Sequence, residues 1–130
     1  MAGTLTLSTI SDGTNSTSVT NAIQGSAKAW ARWVGSSGTI SSSYNVSSVT
    51  RNATADYSVN FTNAMPDGNY TVNVSGSDEV NSQHTVPYII NSYVSTPQPY
   101  STTAVKVGFW NAANSGNRVD KNFVSIIVMR

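Results

Sequence analysis

What most constrains this chain is a short pattern that keeps returning: apolar residues at every second position, for five to eight residues, then a cluster of turn formers. A period of two places alternate side chains on opposite faces of an extended strand, so each repetition predicts one strand with a buried side and a wet side. Leu5, Leu7 and Thr9 alternate up to Ile10 and stop at Ser11-Asp12-Gly13-Thr14. From Ala27 to Val34 the faces separate sharply, with Ala27, Ala29, Ala31 and Trp33 on one side and Lys28, Trp30, Arg32 and Val34 on the other. Strands are predicted at Tyr44 to Thr50, at Asp56 to Thr62, and at Tyr70 to Val74. The first two of these form a hairpin through residues 51–55. Pro66-Asp67-Gly68-Asn69 then makes a turn into a further hairpin, with Pro pre-setting φ and Gly tolerating φ > 0. Tyr88 to Val94 and Ala104 to Trp110 follow, separated by Pro97-Gln98-Pro99. Phe123 to Met129 is apolar on both faces, which marks a central strand.

Composition agrees. Only 38% of the 130 residues are apolar and 10% charged, the latter far below the ~25% of ordinary globular domains. Ser, Thr and Asn make up the difference, and these compete with helical backbone hydrogen bonds while suiting turns and strand surfaces. The fold class expected is therefore all-β: a single β-sandwich or jelly-roll-like domain over residues 25–130. Residues 1–24 read as an extended N-terminal arm, a strand followed by a polar linker over 11–22. That arm has little to bury, so it is expected to dock on a larger particle or on a neighbouring subunit, with Leu5, Leu7 and Ile10 as its candidate docking residues.

Several functions are disfavoured. The formal net charge is +1 and the seven basic residues are scattered singly, with no stripe to release counterions from a phosphate backbone, so nucleic acid is not an expected partner. No apolar run approaches the ~20 residues of a membrane helix, and no basic region followed by an apolar stretch marks a signal peptide. With no cysteine and one histidine, His84, a closed zinc site cannot be assembled. Asp12 and Asp67 each precede a glycine, where a turn role suffices. Asp78 and Glu79 are neighbours, which an extended chain points to opposite faces, so they make a poor acid–base pair. No nucleophile elbow surrounds any serine. Neither catalysis, nor a metal, nor a cofactor is expected.

The aromatic residues carry more. Trp30 shares its face with Lys28 and Arg32, an odd setting for a core side chain, whereas Trp33 lies on the alanine face and should be buried. Tyr93, Tyr100 and Trp110 flank the proline-rich segment. Exposed aromatics stack on sugar faces or anchor protein interfaces, so Lys28, Trp30, Arg32, Tyr93, Tyr100 and Trp110 are the candidate binding residues.

Three stretches carry a resemblance: Ala27-Lys-Ala-Trp30, Tyr44-Asn-Val-Ser-Ser-Val49, and Asp56-Tyr-Ser-Val-Asn-Phe-Thr62 running into Ala64-Met-Pro-Asp-Gly68. In this order and spacing, the span from Gly25 to Val72 resembles a module of tail-fibre-like virion proteins from cyanophages and other marine tailed bacteriophages. The opening Gly3 to Ile10 and the closing Asp120 to Arg130 are similar to the ends of such proteins. The resemblance implies a β-rich, non-enzymatic domain, usually a homotrimer, made in the host cytoplasm and carried on the virion surface. It leaves open a tail-fibre-type adhesin that contacts a host surface glycan or protein, and a capsid decoration (cement) protein bound to other virion proteins. A free carbohydrate-binding β-sandwich module is the alternative.

Overall fold

The computed structural model describes residues 3, 6–77, 85–89, 100–111 and 118–130. Among the described residues ten strands and one short helix follow one another: β1 (Thr9–Ser11), β2 (Ser16–Ser18), α1 (Val19–Gly25), β3 (Ala27–Val34), β4 (Ile40–Tyr44), β5 (Val46–Ala53), β6 (Asp56–Phe61), β7 (Thr71–Ser77), β8 (Thr85–Ile89), β9 (Ala104–Asn111) and β10 (Phe123–Met129). Eight of them form two antiparallel four-stranded sheets. The first has the order β4-β3-β10-β7 and the second β5-β6-β9-β8. The two sheets share one core, so the chain is an all-β sandwich.

Alternation builds that core. In the first sheet Ala29, Ala31 and Trp33 of β3 face Val128, Ile126 and Val124 of β10, register partner by register partner, and all six are buried. The second sheet contributes the cross-strand ladder Val49–Val59–Val105 together with the pair Tyr57–Val107. Trp33 and Tyr57, one from each sheet, meet edge to face with centroids 5.6 Å apart. Such a pair adds about 0.5–1.5 kcal/mol to what its burial contributes. As expected, Trp33 is fully buried and β10 is central.

Two expectations are corrected by the connections. The stretch from Tyr44 to Thr50 is not one strand. β4 ends at Tyr44, Asn45 takes a positive φ of 54°, and β5 starts the other sheet at Val46. Asn is one of the few residues that enters the left-handed region readily. Its side chain then holds the corner: Nδ2 donates to the carbonyls of Lys28 and Asn63, and Oδ1 accepts from the Asn63 N–H at 2.7 Å. Nor do β6 and β7 form a hairpin, because the turn at 66–69 carries the chain from the second sheet to the edge of the first. Between β3 and β4 the turn needs glycine twice. Gly38 has φ +75°, and a Cβ at Gly35 would overlap the Lys121 carbonyl.

The N-terminal residues form structure where a polar linker was expected. β1 and β2 make a separate two-stranded sheet, closed by Asp12, whose Oδ1 accepts the N–H groups of Thr14 and Asn15 at 2.9 and 2.7 Å. α1 follows at once, with Ser18 at its N-cap position, a residue favoured there. No described residue before Ala29 belongs to the buried core.

Candidate functional site

The sandwich has two outer faces. On the first sheet the outward residues fall into rows across all four strands. Tyr44, Trp30, Ile127 and Asn73 are register partners in sequence, and the adjacent row runs Ser42, Arg32, Ser125, Ser75. Directly paired residues lie about 4.5–5.5 Å apart between Cα atoms, so the first row is one continuous apolar and aromatic strip ending in an amide. Met129 extends it along β10. These four large apolar side chains range from 39% exposed (Trp30) to 58% (Tyr44). Arg32 lays its guanidinium over the Phe123 ring, 4.3 Å from the centroid. Beside it is a shallow depression of about 290 Å³ lined by Arg32, Ser75, Gly76, Ser77, Phe123 and Ser125. A second of about 400 Å³ lies along Thr71, Val72, Asn73, Ile127 and Met129. The strands of this face carry two cations outward and, among the described residues, no carboxylate.

The sequence-predicted residues divide among three places. Lys28, Trp30 and Arg32 share this outer face, and Trp30 is exposed as expected. Lys28 turns away toward the N-terminal segment, where its Nζ donates to the Ile23 carbonyl and to Ser26 Oγ. That satisfies a carbonyl at the C-terminal end of α1, where a cation is favoured. Trp110 is exposed on the second sheet, bridged to Arg118. Tyr100 is half-buried and packs edge to face on Tyr70 at 5.2 Å, in a row with Phe61. The structure therefore does not gather these aromatics into one site. Leu7 and Ile10 are each 49% exposed. Leu5, Tyr93, Asp78, Glu79 and His84 lie outside the described residues. Tyr44, Ile127 and Met129 belong to the face and escaped the sequence reading. The signal was present in β10, whose apolar residues occupy both faces although one of those faces is uncovered.

The described carboxylates are engaged in holding the fold. Asp120, just before β10, receives the Arg51 guanidinium in a fork (Nη2 to Oδ2 at 2.6 Å, Nε to Oδ2 at 3.0 Å), the Ala55 N–H at 2.7 Å and the Tyr57 hydroxyl at 2.7 Å. Burial alone would raise its pKa. The Arg51 guanidinium, the Ala55 N–H and the Tyr57 hydroxyl outweigh that and hold the carboxyl below its ordinary value. Burial and the bond to the same carboxylate push the Tyr57 hydroxyl well above the usual tyrosine range. The clasp also steadies Ala55, which has φ 54°, a conformation costing a non-glycine residue roughly 1–2 kcal/mol. Burial raises Tyr70 to about 12, and its hydroxyl donates to the Ser101 carbonyl at 2.9 Å. Asp67 pairs with Arg130 at 2.5 Å and Asp56 with Arg118 at 3.1 Å. Among the described residues no three His, Cys, Asp or Glu side chains converge as metal ligands would.

No family model, curated protein or solved structure matches this chain.

Proposed function

We propose that this chain is a non-enzymatic structural protein of a tailed-phage virion surface, acting by protein–protein assembly and display. The observation that carries the reading is β10, built with apolar residues on both faces while one face stays open in the single chain. A strand apolar on both sides belongs between two layers, and an exposed, contiguous apolar strip rimmed by polar residues is the usual mark of an interaction surface. The covering layer is then another protein. Support also comes from the N-terminal segment, which stands outside the core, and from the resemblance of residues 25–72 to virion fibre modules. Either a tail-fibre-type adhesin or a capsid decoration protein fits this chemistry.

Antibody raised against the purified protein and used to label intact particles of the encoding phage tests the reading. Label on tail tips identifies an adhesin, and label spread over the head identifies a decoration protein. Protein found only free in the lysate overturns display. The side-by-side aromatics Trp30 and Tyr44 give the free carbohydrate-binding reading its one foothold, and lysate-only protein with measurable sugar affinity lost in Trp30→Ala would establish it instead.

A further inference from the structure

Two surfaces of this chain are unfinished in complementary ways. One is the N-terminal hairpin and helix. Leu7, Ile10 and Ile23 are each about half exposed or more, and the only charged side chain in residues 1–26 is Asp12. Asp12 spends Oδ1 on its own turn, whereas among the described residues Oδ2 has a single 3.5 Å approach, from the Asn15 amide. The other is the outer face of the first sheet, with Trp30, Tyr44, Ile127 and Met129 exposed and Arg32 lying over Phe123, with no carboxylate paired to it among the described residues. One surface is apolar with an acid, the other apolar with a base. Within a single chain they do not cover each other, because every one of these side chains remains exposed.

We propose that the N-terminal hairpin and helix of one copy dock on the outer face of the first sheet of a second copy, with Leu7, Ile10 and Ile23 buried against the Trp30–Tyr44–Ile127–Met129 strip and Asp12 set against Arg32. A second copy suits the surface better than a sugar does, because Ile127 at its centre and Met129 beside it are apolar and leave a glycan's hydroxyls unmatched. Charge selects the occupant as well. The face offers the Arg32 guanidinium and, among its described residues, no carboxylate, and the N-terminal segment offers one carboxylate and no basic side chain. Exchanged reciprocally, the hairpin-to-face contact gives a two-fold dimer; passed on head to tail, it closes into a ring when the rotation permits and otherwise extends as a fibre. The inference specifies how copies meet within the assembly reading above, but its test needs no particle, so either can fail alone.

The chain has no cysteine, which makes cross-linking decisive. Full-length Ile10→Cys and Ile127→Cys are purified separately, mixed under a mild oxidant and run on a non-reducing gel. The expected result is a covalent dimer in the mixture and none in either variant alone. Dimers of Ile127→Cys alone, or no dimer in the mixture, would overturn the proposal. A second arm uses light scattering on the wild type, Arg32→Glu, Asp12→Lys and the double variant, with melting curves showing that each is folded. Each single reversal should weaken self-association by roughly tenfold or more, and the double should recover it. A wild type that stays monomeric, or an oligomer indifferent to both reversals, also refutes it. Sugar binding at the face without self-association would do the same.

Discussion

The β5–β6 surface of the second sheet and the outer face of the first are made from the same kind of strand and end in opposite conditions. On the β5–β6 half of the second sheet the outward side chains are hydroxyls, amides and the Asp56 carboxylate, which bond one another, while Trp110 on β9 stays exposed. Asn60 Nδ2 donates to Ser48 Oγ at 2.9 Å and reaches Thr50 Oγ1 at 3.4 Å, while Asn52 Nδ2 donates to Asp56 Oδ1 and Ser58 Oγ, both at 2.9 Å. That lattice is complete in one chain. On the first sheet, Trp30, Tyr44, Ile127 and Met129 touch water, and no rearrangement within the face can hide them. Neutral polar side chains can satisfy each other along a strand surface, whereas apolar ones can be satisfied only by a further layer. The β5–β6 surface is finished by folding, and the outer face of the first sheet is left open in the single chain.

The largest effect should come from a change that undoes both faces together. Asp120 ties the β5–β6 turn to the segment entering β10, so Asp120→Ala strands the Arg51 charge, the Ala55 N–H and the Tyr57 hydroxyl at once. The Ala55 N–H and the Tyr57 hydroxyl lose their acceptor, and a loss of about 1–3 kcal/mol is expected, read as a lower urea midpoint with an unchanged slope. Acid should reproduce part of it. The folded carboxyl has a lower pKa than the unfolded one, whose ordinary value is 3.8. The folded state therefore binds fewer protons, and the stabilisation is fully present above about pH 5 and lost as pH falls through the unfolded value toward the folded one. A wild-type urea midpoint that stays flat from pH 6 to pH 3, or matching midpoints for wild type and Asp120→Ala, would show that the clasp contributes nothing.

An intermediate effect should mark the finished face. Asn60→Ala removes a donor shared by two hydroxyls on neighbouring β5 and should cost about 0.5–1.5 kcal/mol. It should leave self-association and particle incorporation as they are. A change in assembly from this substitution would mean that the polar lattice is itself a contact surface, and the distinction between the faces would collapse.

How much of this was legible in the sequence follows from which signals are local. β3 and β10 were found with both boundaries, because the Ala/Trp alternation of one and the apolar run of the other lie within single strands. The β4 strand was missed, since Ser41-Ser42-Ser43 has no apolar alternation and the corner at Asn45 depends on a backbone conformation that spacing does not reveal. Periodicity finds a strand without saying which sheet it joins, hence the hairpin expected after Pro66 that is instead a crossing. At the face, Trp30 was legible because charges flank it on its own side of the strand. Ile127 and Met129 were not, because residues apolar on both faces read the same whether the second layer is in this chain or another. The Asp120 clasp joins residues 69 apart in sequence, a juxtaposition that only the fold creates.

The smallest effect on stability is expected on the open face, and it separates the two readings of β10 most sharply. Ile127 is 48% exposed, and threonine keeps its β-branched shape and its strand preference. If the strip is free in the single chain, Ile127→Thr should change stability by no more than about 0.5 kcal/mol, while the concentration needed for self-association rises and solubility improves. Trading an aliphatic branch for a hydroxyl removes transfer energy only where the side chain becomes buried, so the penalty should appear in the assembled state and not in the folding of the monomer. A loss above about 1 kcal/mol in the dilute monomer would mean that Ile127 is already packed by its own chain. The strip would then be an outlying part of the core, and the apolar character of β10 would need no partner to explain it.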